Sequence, residues 1–189
     1  MIGGMLKSYF DAIIKLEVKV WENFVRLGKV HSHVKETILK QSQTTEKNFH
    51  FLLEGSGGNL VWHKNNFVCT DIGLPPEPLC DYVSFMTQKS SPIEVRLFED
   101  STVFQISYDK FQYVFQTGNY GEQVTRAALE LAYKEKEQLQ IDLLTKTAKE
   151  RYLDLIAKNT KLEEIPLKYL ASYLGITPQS LSRIRSGKT

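Results

Sequence analysis

Cysteine is scarce in this 189-residue chain: only Cys69 and Cys80, with ten residues between them, and no C-x-x-C pair. That excludes a disulfide framework, a zinc cage and a redox motif, and leaves both thiols as small buried apolar groups in a reducing compartment. Histidine is as sparse: His31, His33, His50 and His63 are scattered. His31 and His33 share one face of a strand, but no nearby carboxylate or cysteine completes a ligand set, so no metal site is expected. Long apolar runs are missing as well. The opening MIGGMLKSYFDAIIKL is interrupted by Lys7 and Asp11 and reads as neither signal peptide nor membrane span, which predicts a cytoplasmic protein with no membrane partner. No His, Asp and nucleophile set and no carboxylate cluster stands out. The chain therefore reads as a non-enzyme, with no catalytic residues and no cofactor.

What is present is 42% hydrophobic residues, enough for one sizeable core and a small satellite. Leu6, Phe10, Ile13 and Ile14 fit an amphipathic helix, and Val20, Phe24 and Leu27 a second over 19–27. From Lys29 to Ser107 short runs of Val, Ile, Phe, Thr and Tyr alternate with turn residues, at Glu54 to Asn59, Asn65-Asn66, Gly73 to Pro78 and Ser90 to Pro92. This predicts an antiparallel β domain, a sandwich, barrel or jelly roll. Leu60 to Trp62 and Phe67 to Cys69 read as one hairpin about Asn65-Asn66. Glu94 to Leu97 and Val103 to Ile106 read as a second strand pair, turning at Glu99-Asp100.

Gly118 to Gly121 closes that region, and Gln123 to Leu144 has no Gly or Pro. Ala127, Ala128, Leu131, Leu139, Ile141 and Leu144 give this long helix its apolar surface, which serves either a dimer axis or its own β domain. Thr147-Ala148-Lys149-Glu150 is a capping box, so a new helix starts there, with Tyr152, Leu155 and Ile156 inward and a hinge before it.

The segment LKYLASYLGITPQSLSRIR, Leu167 to Arg185, carries the most information. Leu167, Leu170, Ala171 and Leu174 line one face of a short helix, Gly175 suits a left-handed turn, and Ile176 drops beneath it. Thr177 caps the next helix and Pro178 takes its first position. Leu181 and Ile184 face the first helix, with small Ala171 allowing close approach. This is helix-turn-helix spacing. Thr177, Gln179, Ser180, Ser182 and Arg183 are left outward, of the types that read base edges, while Arg185 and Lys188 suit phosphates. The plain alternative is two packed helices with a solvated polar face. Charge agrees with a duplex-DNA partner: residues 147–189 carry +4 and residues 1–146 carry −2.

The order of parts, with TAKERYLDLI followed by IPLKYLASYLGITPQSLSRIR, resembles the Crp/Fnr transcription regulators, relatives of the cyclic-AMP receptor protein. The likeness spans nearly the whole chain, strongest over Thr147 to Arg185. It implies an α+β fold: a cyclic-nucleotide-binding-like jelly roll with flanking helices (1–118), a long dimerisation helix (119–146) and a winged helix-turn-helix (147–189). It also implies a homodimer whose Gln179, Ser180 and Arg183 take base-reading positions. The chain ends four residues after Arg185, so any wing is expected in Lys161 to Pro166.

Departures from the pattern narrow the expectation. The family's Gly-Glu-Leu stretch, which holds a ribose, falls on Cys80-Asp81-Tyr82, leaving Asp81 and Tyr82 as ligand-site candidates. Its Arg-Ser/Thr-Ala stretch falls near Ser91-Pro92-Ile93, where the phosphate arginine is missing. A buried phosphate without a cation is costly, which predicts that cyclic AMP is not the effector. The cysteine cluster of iron–sulfur members is absent too. Pro178 stands where well-known members have a guanine-reading arginine, so DNA preference should differ. The resulting expectation is a homodimeric, sequence-specific transcription regulator of duplex DNA, with an unknown small-molecule effector as a further candidate partner. The alternative is a jelly-roll ligand-binding or protein-interaction module without DNA output.

Overall fold

Strand structure starts at Lys29 and ends at Ser107, as expected, in the computed structural model, which describes residues 1–12, 14–117 and 120–187. Ile13, Lys188 and Gly118, all used in the sequence reading, lie outside the described residues. Two helices come first, α1 (Ile2–Phe10) and α2 (Val18–Val25). Eight strands follow: β1 (Lys29–His33), β2 (Ile38–Lys40), β3 (Asn48–Glu54), β4 (Gly57–His63), β5 (Asn66–Gly73), β6 (Glu77–Pro78), then after helix α3 (Tyr82–Thr87), β7 (Ile93–Leu97) and β8 (Ser101–Ser107). They form two four-stranded antiparallel sheets, ordered β1-β8-β3-β6 and β2-β7-β4-β5. With the helices that follow, this is the α+β arrangement of a β roll plus a helical C-terminal unit.

Side-chain alternation explains the layering. On β3 and β8, Phe49, Phe51, Phe104 and Ile106 point to one side and pack under α1 and α2 with Leu6, Phe10, Trp21 and Phe24. Leu52 and Val103 point to the other and meet Leu79, Val95 and Leu97 between the sheets. The expected hairpin forms over β4 and β5, with Leu60 paired with Cys69 and Trp62 with Phe67. Its two-residue turn is Lys64-Asn65, one position earlier than expected, because both residues take positive φ, 48° and 62°, as a tight primed turn requires.

The second expected hairpin is corrected. β7 pairs with β2 and β4 in one sheet, whereas β8 pairs with β1 and β3 in the other, so Phe98 to Asp100 crosses between sheets instead of turning within one. Phe98 anchors the crossing: its N–H donates to Ser56 O at 2.8 Å and its ring is fully buried. Gly58 on β4 makes room for that ring, since a Cβ there would stand against the Asp71 carbonyl and 2.5 Å from Phe98 Cζ.

Helix α4 (Tyr108–Thr117), which sequence reading missed, leads into α5 (Gly121–Thr145). At 25 residues α5 runs for about 37 Å. Thr147 then caps α6 (Ala148–Lys158) through a complete capping box with Glu150. A 3-10 turn (Thr160–Glu164), α7 (Leu167–Tyr173) and α8 (Pro178–Arg185) complete the described chain. The wing expected in Lys161 to Pro166 is a correction: that stretch holds the 3-10 turn, nucleated by the Asn159 side chain on Lys161 N, and no strand follows β8 among the described residues. The terminal helices share one apolar cluster with Leu60, Cys69, Leu74 and Phe98 of the roll.

Gly58→Ala should lower stability by about 1–3 kcal/mol through overpacking, read as a lower urea midpoint, because neither the Asp71 backbone nor the buried Phe98 ring can retreat cheaply.

Candidate nucleic-acid interface

The turn between α7 and α8 is built as its residues dictate. Leu174 ends α7, Gly175 takes φ +70°, and two backbone bonds close the turn: Gly175 N to Ser172 O and Ile176 N to Ala171 O, both 3.0 Å. That pairing is a Schellman motif, and it satisfies carbonyls the helix end would leave open. Arg151 of α6 adds a further bond, Nη2 to Leu174 O at 2.9 Å. Thr177 Oγ1 accepts from Ser180 N at 3.1 Å and so caps α8, with Pro178 following. Leu170, Ala171, Leu174 and Leu181 are buried where the two helices meet.

Gln179, Ser182 and Arg183 share the outer face of α8, are exposed, and make no side-chain hydrogen bond or ion pair among the described residues. Ser180 is half-buried and its hydroxyl sits 3.0 Å from that of Thr177, so both hydroxyls already hold the cap. Arg185 is committed elsewhere: Nη2 donates to Glu163 O at 3.1 Å, and the guanidinium lies 5.9 Å above the Tyr152 ring. The structure thus brings three of the predicted residues together on an open face and draws Arg185 back to the 3-10 turn.

Sequence reading did not find what holds this pair of helices on the roll. Tyr169 of α7 is 1% exposed and stacks on Phe98 with ring centres 3.8 Å apart and planes 11° off parallel. Its hydroxyl donates to Glu36 Oε2 at 2.6 Å. The same carboxylate accepts from Lys168 Nζ at 3.0 Å and Arg96 Nη1 at 3.1 Å. Burial raises the pKa of Glu36, but the bonds from Tyr169, Lys168 and Arg96 outweigh it and leave the carboxyl below its ordinary value. Ser172 Oγ accepts from Cys69 N at 2.9 Å and donates to Phe67 O at 3.2 Å. No local pattern signals contacts more than a hundred residues apart. The one available hint was Ser172, a hydroxyl between Ala171 and Leu174 of the packed helix.

In the roll, the ligand-site candidate Asp81 is 1% exposed and already occupied. Its carboxylate caps α3 through Ser84 N at 3.2 Å, accepts from Ser91 Oγ, and pairs with Lys40 Nζ at 3.0 Å. Lys40, buried too, also donates to Ser91 Oγ at 3.0 Å and Ile93 O at 2.6 Å. Three acceptors use all three ammonium donors. The region where a phosphate arginine was sought is therefore closed by an internal ion pair. Tyr82 is half-buried and lines a cavity of about 980 Å³ between the β5–β6 loop, α5 and α6. Asn59, Asp71, Glu77 and Glu135 line it as well. Burial pushes the Glu77 carboxyl up to about 7, against the opposing bond from Leu74 N and with help from Asp71 and Glu135. Both thiols are shielded by burial, which raises Cys69 to about 12 against the opposing hydrogen bond to Asp71 O. No group of three or more metal-binding side chains forms among the described residues, and none of their helices is long and apolar enough to cross a membrane.

No protein-family model matches the chain, and no curated protein matches it in sequence. Solved structures do match. The c-di-GMP responsive global regulator CLP of Xanthomonas campestris superposes with a TM-score of 0.68 at 14% identity, over 90% of this chain and 91% of that one. FixK2 of Bradyrhizobium japonicum gives 0.69 at 15% identity, over 85% and 83%. The catabolite activator protein of Thermus thermophilus gives 0.58 at 13%, over 91% and 83%. At such identities the likeness is one of architecture. The chain has the fold of the Crp/Fnr regulators, with a cyclic-nucleotide-binding-like roll.

Proposed function

We propose that this protein is a cytoplasmic, sequence-specific transcription regulator that binds duplex DNA as a homodimer and does not respond to cyclic AMP. The observation that carries the reading is the outer face of α8. Gln179, Ser182 and Arg183 are exposed and uncommitted on a helix whose start and packing are fixed by the Thr177 cap and by Leu181. A helix presented in this way fits the major groove, where arginine pairs with guanine and glutamine with adenine. Thr177 and Ser180 shape the start of the helix, and Arg185 and Lys188 are its phosphate contacts only to the extent that Arg185 leaves Glu163. The regulator role also agrees with the solved neighbours.

Dimerisation is supported by what α5 leaves uncovered. Of its 25 residues only Gly121 and Ala127 are buried, while Leu129, Tyr133, Ile141, Leu143 and Leu144 stay exposed. A second copy packed along this helix removes that apolar surface from water. Two copies then place their α8 helices in successive major grooves, about 34 Å apart. The large cavity beside Tyr82 is the place for an effector, and Lys40 has no donor left for a cyclic phosphate.

Selection of sites from random duplexes with the purified protein should return a palindrome. Arg183→Ala should then weaken binding to that site by about 1–3 kcal/mol and relax preference at one base per half-site, read by titration against single-base variants. Unchanged affinity and preference would remove Arg183 from base reading. Calorimetry with cyclic AMP should give no binding at micromolar ligand, because an anion placed near Ser91 meets the Asp81 carboxylate and no available cation; saturable heat in that range would contradict the assignment.

A further inference from the structure

We propose that Glu36, far from α8 in sequence and on the β roll, is a positioning residue for DNA reading: by holding α7 it fixes where α8 stands relative to α5. The inference rests on the DNA-reading function proposed above and adds the part that sets the geometry of reading.

Leu181 of α8 is fully buried in the cluster that holds Leu170, Ala171 and Leu174, so α7 and α8 move as one body. That body meets the roll across the shared apolar cluster, with a few contacts that fix its orientation. Tyr169 is wedged between Phe98 and Phe67, with ring centres at 3.8 and 5.2 Å. Ser172 gives one acceptor and one donor to β5, the edge strand of its sheet, and so satisfies backbone groups that an edge leaves open. Glu36 ties these contacts together from the other side, binding Tyr169, Lys168 and, through Arg96, the β7 strand. Arg96 is itself steadied by Glu94 at 2.6 Å.

The docking leaves the reading face open. Gln179, Ser182 and Arg183 remain exposed with α7 seated on the roll, so the contact orients the helix without blocking it. Where two copies join along α5, the seat of α7 sets the distance and tilt between the two α8 helices. A palindrome tolerates one such distance, whereas a single half-site tolerates any.

Glu36→Gln keeps the size of the side chain and removes the charge that draws three donors together. It should weaken binding to the selected palindrome about tenfold, while binding to a duplex carrying one half-site changes by less than about twofold. Tyr169→Phe should do the same, and the double variant should be little worse than either alone, because both act through one contact. Equal losses on both duplexes would make Glu36 a merely structural residue and overturn the proposal. Tighter palindrome binding would make the docking a restraint on the protein and overturn it as well. If the unaltered protein selects no DNA site, it is the DNA-reading function that fails. Amide hydrogen exchange over residues 168–174 then tests the holding role by itself: Glu36→Gln should speed exchange there, and unchanged exchange would remove Glu36 from that role too.

Discussion

Stacking of Tyr169 on Phe98 is the contact on which the arrangement of this molecule depends. One ring belongs to the crossing between the two sheets and the other to the first helix of the terminal pair, so the interior of the roll and that of the helical unit become one apolar cluster. Such a pair contributes roughly 0.5–1.5 kcal/mol beyond its burial. Its larger effect is geometric. Gly58 sets the depth of Phe98, Phe98 sets the plane of Tyr169, and the hydroxyl of Tyr169 then meets Glu36 at 2.6 Å. The surrounding ion pairs are weaker supports. Lys168 is half exposed, and pairs of that kind are worth about 0–1 kcal/mol, so they select an orientation more than they add stability.

The buried pair of Lys40 and Asp81 plays the opposite part in the roll. Both groups are nearly inaccessible, and their mutual attraction with the bonds from Ser91 and Ser84 offsets the cost of taking two charges out of water. A site satisfied by its own residues has no free valence for an anion. The neighbouring cavity has Asn59, Asp71, Glu77 and Glu135 among its lining residues, and the Asn59 Oδ1 acceptor has no partner among the described residues. The roll side of that cavity supplies acceptors, while the cations on its wall, Lys134, Lys136, Arg151 and Lys158, come from α5 and α6.

Elements defined by local chemistry were legible from sequence. Gly175, the Thr177 cap, Pro178 and the box at Thr147 all act on neighbours within four positions, and each was read correctly to the residue. The limits of the β region followed from composition for the same reason. Strand partners were less legible: β7 and β8 look like a hairpin because three residues part them, yet Phe98 uses those residues to change sheets. The wing was inferred from likeness alone, and Asn159 nucleates a 3-10 turn in its place. Asp81 reads in the sequence as a carboxylate of a ligand-binding stretch, and its pairing with Lys40 is hidden there, since Lys40 lies 41 positions earlier. Glu36 was invisible altogether, because no periodicity joins it to Tyr169.

Charge counting shows the same difference between pattern and structure, and it bears on the proposed homodimer. Residues 147–189 carry a net +4, but Arg151, Lys168 and Arg185 each commit a donor within the chain, to Leu174 O, Glu36 and Glu163 O. Arg183, Lys149, Lys158 and Lys161 make no hydrogen bond or ion pair through their side chains among the described residues. Each phosphate neutralised changes the logarithm of affinity by a fixed amount in salt, with a slope of about −0.9 per contact. A handful of contacts per copy gives weak, salt-sensitive binding. In the proposed dimer, doubling the contacts through a common α5 axis would double that slope only with both α8 helices held at one separation, the constraint proposed for the seat of Tyr169.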